Sequence, residues 1–236
     1  MRILLVAATV FEIRPLFHKL NLKEIQSENP GQYQYLNHHI DLLIPGIGMV
    51  PTAYFVGRQL ALQQYDLAIN AGIAGTFNIS IPPGTVVNVV EDCVPELGAE
   101  DAENFISVFE LGLADPDMHP YHGGKLKNDL MSTTGLFPDK VLAGLMQVKA
   151  ITSNTVRGNA ASIERIRRIA AADIESMEGA AFFFACLTAK TPCLQIRSIS
   201  NLVEERDKSR WDLDLALKNL NNSLFELINS ASMKVD

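Results

Sequence analysis

The sequence predicts an α/β protein built as three layers, α/β/α, around a central mixed and mainly parallel sheet. Three observations carry this. Apolar runs at residues 3–8 and 67–70 lack polar alternation, as strands covered on both faces do, and 145–152 and 193–200 read as further strands. Segments with helical spacing follow or separate them, and strands alternating with helices imply parallel pairing with helices on both faces. A hairpin signal at 33–44 and a long β-branched strand at Thr85–Val94 add antiparallel strands and make the sheet mixed. The 236 residues are 47% hydrophobic and 20% charged, with no linker, repeat or low-complexity tract, so residues 1–236 are expected to form a single domain. A chain of this length can bury roughly 70–75% of its unfolded surface and needs no disulfide or metal staple.

The elements follow in order. Residues 3–8 form the first buried strand. Pro15, placed in a first turn, opens a short helix carrying Leu16, Phe17 and Leu20. Tyr33–Tyr35 and Ile40–Ile44 pair across a turn near Asn37-His38. Gly46-Ile47-Gly48 leads into a helix from Pro51 to Gln63, with Ala53, Phe55, Val56, Leu60 and Ala61 on its buried side. Leu67–Asn70 is a second buried strand, stopped by Ala71-Gly72-Ile73-Ala74-Gly75. After Thr85–Val94 the pattern weakens, and 96–138 reads as loops with one short element around Phe105–Leu113. Leu145–Thr152 is a strand. Asn159–Ala172 is a helix with Ile163, Ile166 and Ile169 at helical spacing. Gly179–Ala189 is apolar on all sides, as a helix sunk in the core should be. Cys193–Ser200 is a strand, and Leu213, Leu217, Leu220, Leu224 and Leu227 mark a long amphipathic helix.

Composition removes several classes of function. A net charge of −7, a pI near 5.3 and no cluster of Lys and Arg argue against a nucleic-acid partner. No stretch approaches the roughly 18 apolar residues of a membrane span. The opening Met1–Ala8 run is short and is followed at once by Glu12 and Arg14, so a strand is a better reading than a leader peptide. Cys93, Cys186 and Cys193 are odd in number, widely spaced and set in apolar stretches, which fits a reducing, cytoplasmic setting. No Cys/His pattern asks for a metal, and no cofactor is expected. His119 and His122, in a Pro-containing loop, read as surface histidines.

Ligands of open α/β sheets bind beyond the carboxyl ends of the strands. Those ends are Thr9–Glu12, Gly46–Met49, Gly72–Gly75, Ser153–Arg157 and Ser200–Asn201. Glu12 is either a first-turn glutamate favoured by the helix dipole or a functional carboxylate. Glu178 heads a helix with no polar face, which places its carboxylate at or near the interior, where an acid is rare unless paired or functional. Arg197 lies within an apolar strand and needs a partner, a structural salt bridge being one option. Gly46-Ile47-Gly48 lacks the third glycine and the downstream acid of a dinucleotide fingerprint. Gly72-Ile73-Ala74-Gly75 permits close backbone approach to a ligand, or simply a tight turn. Ser176 and Ser200 have no histidine near them in sequence, so a serine triad has no visible support.

Five segments at these strand ends carry a family resemblance: Ala8-Thr9-Val10-Phe11-Glu12, Pro45-Gly46-Ile47-Gly48-Met49-Val50, Ile69-Asn70-Ala71-Gly72-Ile73-Ala74-Gly75, Ser176-Met177-Glu178-Gly179-Ala180-Ala181 and Arg197-Ser198-Ile199-Ser200-Asn201. In this order, and spanning nearly the whole chain, they resemble the nucleoside phosphorylase/hydrolase superfamily and its nucleosidase branch. Within the branch, Pro95–Asp101 and Ser200–Asp207, with Trp211 following, are similar to the futalosine-cleaving family of menaquinone biosynthesis. The resemblance implies hydrolysis of a purine nucleoside at its N-glycosidic bond, with futalosine yielding hypoxanthine and dehypoxanthine futalosine. The alternative it leaves is an adenine nucleosidase acting on methylthioadenosine, adenosylhomocysteine or aminodeoxyfutalosine. A phosphorylase would need a phosphate-binding cluster that the apolar Gly72–Gly75 segment does not offer. A nucleoside-binding module that has lost the reaction is the alternative from another class, and the presence of both glutamates speaks against it.

The resemblance also implies roles. Glu12 would be the general base that activates water. Glu178, beside Met177, would hold the ribose hydroxyls, and the main chain of Ile73, Ala74 and Gly75 would lie along the ribose. Asn201 would face the purine with Ser200 and Arg197 in support. The small-molecule substrate is the expected partner, and homo-oligomers are the family habit. Two departures stand out. Asn201 replaces the aspartate of adenine-specific members; an amide cannot act as an acid, but it offers a donor that suits the O6 of hypoxanthine better than an amino group. The aromatic expected to stack on the base near Thr152–Gly158 is missing, leaving the Arg157 guanidinium or an aromatic from 105–121 as substitutes.

Overall fold

The computed structural model describes residues 1–22, 30–128, 133, 135–137 and 139–231. Along the chain run β1 (Arg2–Val6), α1 (Val10–Lys19), β2 (Gly31–Tyr35), β3 (His38–Leu43), α2 (Met49–Leu62), β4 (Leu67–Thr76) and β5 (Val86–Cys93). Then come β6 (Gly98–Asp101), β7 (Asn104–Ser107), β8 (Tyr121–His122), β9 (Lys125–Lys127), α3 (Asp139–Ala143) and β10 (Met146–Thr152). The chain continues through α4 (Ala160–Ile169), β11 (Ile174–Ser176), α5 (Gly179–Thr188), β12 (Cys193–Leu202) and α6 (Leu213–Ser230).

The central sheet is mixed. Its strands lie in the order β2-β3-β1-β4-β11-β10-β5-β9-β8, and β12 pairs with both β4 and β5. The parallel pairs β1/β3, β1/β4, β4/β12, β5/β10 and β10/β11 form its interior. The strands β1, β4 and β12 are almost wholly buried; β1 and the start of β4 are accordingly apolar, while β12 buries Gln195, Arg197 and Ser200 as well. One apolar cluster joins α1 and α6 to one face through Leu16, Phe17, Leu220 and Leu224. A second joins α2 and α5 to the other through Val56, Phe182, Phe183 and Cys186. The layers are therefore α/β/α.

Several elements depart from expectation, each for a local reason. Helix α1 starts at Val10, because Thr9 and Glu12 form a reciprocal capping box, so Pro15 sits inside the helix and not in its first turn. Strand β4 runs straight through Gly72 and Gly75 to Thr76, since β12 pairs with it along its whole length. On α2 the buried positions are Thr52 and Val56, while Ala53 and Ala61 face outward. Helix α5 is not covered on all sides, because Phe184 is 41% exposed beside the outward face of α2. The 96–127 region holds two short antiparallel hairpins, β6/β7 and β8/β9, and β11 is a three-residue strand too short to show a period. Residues 129–132, 134 and 138 of the expected 96–138 loop lie outside the described residues.

The site follows from an offset between neighbouring strands. Strand β1 pairs with β4 only at Leu67–Asn70, after which β1 turns into α1 while β4 continues. The notch so opened receives the first turn of α1 on one side and the ends of β11 and β12 on the other.

Candidate active site

A cavity of about 230 Å³ fills that notch. Glu12 and Glu178 border it, and so do Ile73, Ala74 and Gly75 of β4, Met177, and the Ser200-Asn201 pair. Every residue singled out from the sequence lines it except Arg197, which lies directly behind the β4 wall.

Glu12 is fixed through both oxygens. Its Oε2 accepts from the Thr9 amide at 3.0 Å and the Thr9 hydroxyl at 3.1 Å, and Oε1 accepts from the Ile73 amide at 3.3 Å. The carboxylate thus spans from its own helix cap to the edge of β4. Burial pushes its pKa upward; the Arg197 guanidinium opposes that, while the nearby Glu178 reinforces it. A carboxylate with raised proton affinity is the property a base needs near neutral pH.

Arg197 is 1% exposed. Among the described residues no carboxylate forms an ion pair with it; it donates instead to Asn70 Oδ1 and, at 3.2 Å, to Gln195 Oε1. The partner that Arg197 needs is thus a pair of amides and not a carboxylate; they hold the guanidinium in position and leave its charge to act on Glu12. Gln195 in turn donates at 3.0 Å to Asp92, whose other oxygen accepts from the Thr152 hydroxyl at 3.0 Å. Gly72 makes this stacking possible. A Cβ there would run into the Arg197 guanidinium and come within 2.9 Å of Glu12 Oε1.

Glu178 is 6% exposed and stands at the N-cap position of α5, its side chain turned to the cavity and not to the helix amides. Its Oε1 accepts from the Gly48 amide at 3.0 Å. Gly48 has φ +97°, a left-handed region that favours glycine, and this turns its N–H toward the carboxylate. Asn201 follows a register shift in β12, which lets Ser200 bulge and keeps Asn201 opposite Gly75. The Ser200 hydroxyl lies 2.8 Å from Asn201 Oδ1 and 3.2 Å from the Ala74 carbonyl, and Asn201 Nδ2 donates to the Leu202 carbonyl at 2.8 Å.

Trp211 and Glu175 are among the lining residues not singled out from the sequence as site residues. Trp211, which follows the site loop, is set beside Ser200 by the Asp212 amide donating to the Ser200 carbonyl at 2.9 Å. Glu175, on the short strand β11, also borders the cavity. The expected substitutes for a stacking aromatic are not there. The Arg157 guanidinium is engaged by Glu175 at 3.1 Å and by Glu96, and no aromatic from 105–121 lines the cavity. Phe11 and Trp211 are its aromatic walls. His119 and His122 are exposed, and no metal-holding group of His, Cys, Asp and Glu occurs among the described residues.

Comparison with known proteins places the chain in a family. The family model of the phosphorylase superfamily matches residues 2–229. A futalosine hydrolase of Streptomyces coelicolor is 32% identical over 193 residues, covering 79% of this chain and 77% of its own. A 5′-methylthioadenosine/S-adenosylhomocysteine nucleosidase of Maridesulfovibrio salexigens is 29% identical over 217 residues, covering 89% of each. In fold, the crystal structure of a nucleosidase of the latter kind from Colwellia psychrerythraea, in complex with adenine, superposes with a TM-score of 0.77 at 21% identity, covering 100% of this chain and 97% of that one. The chain belongs to the phosphorylase superfamily, on its nucleosidase side.

Proposed function

We propose that the protein hydrolyses the N-glycosidic bond of futalosine, releasing hypoxanthine and dehypoxanthine futalosine, as a cytoplasmic homo-oligomer of the menaquinone pathway. Glu12 is the general base: held on three donors at the edge of β4, it takes the proton of a water attacking C1′. Glu178 grips the ribose hydroxyls, and those hydrogen bonds strengthen as positive charge develops on the sugar in an oxocarbenium-like transition state. The main chain of Ile73, Ala74 and Gly75, with Met177, lies along the ribose. Arg197 supports from behind by restraining the proton affinity of Glu12.

The nucleophile is water and not phosphate. Two carboxylates border the ribose side of the cavity, and its lining holds no Lys or Arg to offset a phosphate dianion. Base release in phosphate-free buffer tests this point.

Asn201 is the observation that carries the substrate. Its Oδ1 is engaged by Ser200 and one Nδ2 hydrogen by the Leu202 carbonyl, which leaves the second Nδ2 hydrogen for the purine edge. Both purines offer N7 as an acceptor there, but at the 6-position hypoxanthine offers the acceptor O6, whereas adenine offers an amino donor that would meet another donor. Asparagine cannot protonate the leaving base, so that proton comes from bound water. The similarity to a futalosine hydrolase supports the same reading. The second reading, an adenine nucleosidase acting on methylthioadenosine, adenosylhomocysteine or aminodeoxyfutalosine, has the similarity to the Maridesulfovibrio protein behind it. Turnover of futalosine against aminodeoxyfutalosine, which differ only at the purine 6-position, separates the two. Preferential cleavage of aminodeoxyfutalosine would overturn the first reading.

A further inference from the structure

Glu175 is a buried carboxylate in the cavity wall, 6% exposed, for which the hydrolytic mechanism has no use. Its place in the sheet is specific. Gly75 of β4 is in register with Glu175 of β11 on one side and with Asn201 of β12 on the other. Side chains in direct register point to the same face of a sheet, so the two residues rise side by side across two strand spacings, ~9.5 Å. Between them Gly75 contributes no side chain. The point where its Cβ would stand is 2.9 Å from Val203 Cγ2, 3.3 Å from Asn201 Nδ2 and 3.6 Å from Glu175 Cγ, so a methyl of Val203 closes in over Gly75 together with the two polar side chains. The result is a stretch of cavity wall in which Glu175 and Asn201 flank Gly75, with the Val203 methyl packed over the glycine between them.

The Glu175 carboxylate is held firmly. Glu175 Oε1 accepts from the Arg157 amide at 3.2 Å and Oε2 from the Arg157 guanidinium at 3.1 Å. Arg157 is held in turn by Glu96, itself 2.9 Å from the Ser153 hydroxyl. Each Glu175 oxygen keeps a second lone pair for a ligand. Pairing a buried Arg157 explains why an acid can be buried here; it does not explain why the acid lies in the cavity wall across Gly75 from Asn201.

We propose that Glu175 selects 6-oxopurines, its carboxylate accepting the N1–H of hypoxanthine while Asn201 donates to O6 from the other side of Gly75. The proposal rests on the hypoxanthine reading above and names the second half of its specificity. Hypoxanthine carries a donor at N1 and an acceptor at O6; adenine reverses both. A carboxylate facing adenine N1 sets one acceptor against another, and a site built to bond one pattern rejects its opposite. Arg157 acts as a positioning residue: burial pushes the Glu175 pKa upward, and the hydrogen bonds from Arg157 oppose that rise while fixing the carboxylate in place.

The test compares kcat/KM for futalosine, aminodeoxyfutalosine and N1-methylfutalosine in the parent protein, Glu175→Gln and Glu175→Ala, each checked for native melting. The parent is expected to favour futalosine over the 6-amino compound by about 10²–10⁴-fold. Glu175→Gln, whose amide can meet either N1, should shrink that ratio at least tenfold. The parent should reject N1-methylfutalosine at least a hundredfold, and Glu175→Ala, which opens room for the methyl, should narrow that gap. A futalosine preference that survives Glu175→Gln unchanged overturns this proposal alone. A parent preference for aminodeoxyfutalosine overturns the hypoxanthine reading and this proposal with it. Should the variants fail to fold, equal turnover of futalosine and its N1-methyl derivative by the parent protein overturns the proposal without them.

Discussion

Replacing Glu12 by Gln changes one oxygen to an amino group and leaves the volume nearly constant. The structure fixes the consequences. The two oxygens serve three donors, the Thr9 amide and hydroxyl on one side and the Ile73 amide on the other. A Gln side chain must turn its NH2 toward one of those sides, so one backbone N–H loses its acceptor at a cost of about 1–3 kcal/mol. Against that, a carboxylate whose ionisation is disfavoured by burial has been removed, so the net change in stability is expected to be small. Activity has no such compensation. Gln has no basic form, and loss of a positioned base costs roughly 10²–10⁴ in rate, or about 3–5 kcal/mol of barrier. Single-turnover release of hypoxanthine, followed alongside equilibrium binding of a non-hydrolysable nucleoside, reads the two effects apart. The expected result is a rate at least a hundredfold lower with affinity retained. A variant that turns over at the parental rate removes Glu12 from the mechanism.

Two further perturbations probe the support behind the site. Gly72→Ala places a methyl against the Arg197 guanidinium, which is pinned by Asn70 and Gln195 and cannot retreat. Thermal melting should show a loss of about 1–3 kcal/mol typical of overpacking, and kcat should fall at least tenfold; a variant as stable and active as the parent refutes the packing argument. Asp92 is fully buried with its pKa raised from 3.8 to about 6. The folded state therefore holds a proton that the unfolded state has released, so stability falls as pH rises from about 4 to 6 and is level above, by about 3 kcal/mol for this group. Asp92→Asn should flatten that part of the denaturant-derived stability profile, and an unchanged slope shows that Asp92 is not its source.

Much of this was legible in the sequence because the strands that carry the site are buried on both faces. Apolar runs marked β1 and the first half of β4, the segments at 145–152 and 193–200 read as strands as well, and residues at or just beyond the ends of these strands border one cavity. Glu178 was readable as buried because nothing polar follows it for three turns of α5. What stayed hidden depends on pairing between distant strands. Gly72 and Gly75 looked like a stop, since the sequence does not reveal that β12 supports β4 through both glycines. Glu175 sits on a strand of three residues, and its register with Gly75 is a long-range fact. Arg197 asked for a partner and found amides, because Asn70 and Gln195 are brought to it only by the β4/β12 pairing. The hairpins of 98–127 are too short for a period of two to declare itself.

The central claim is that this site releases hypoxanthine from futalosine by hydrolysis. The most direct measurement is chromatographic identification of the free base after incubation with equimolar futalosine and aminodeoxyfutalosine in phosphate-free buffer. The account predicts hypoxanthine as the dominant product. Adenine as the dominant product, or base release only when phosphate is added, would contradict it.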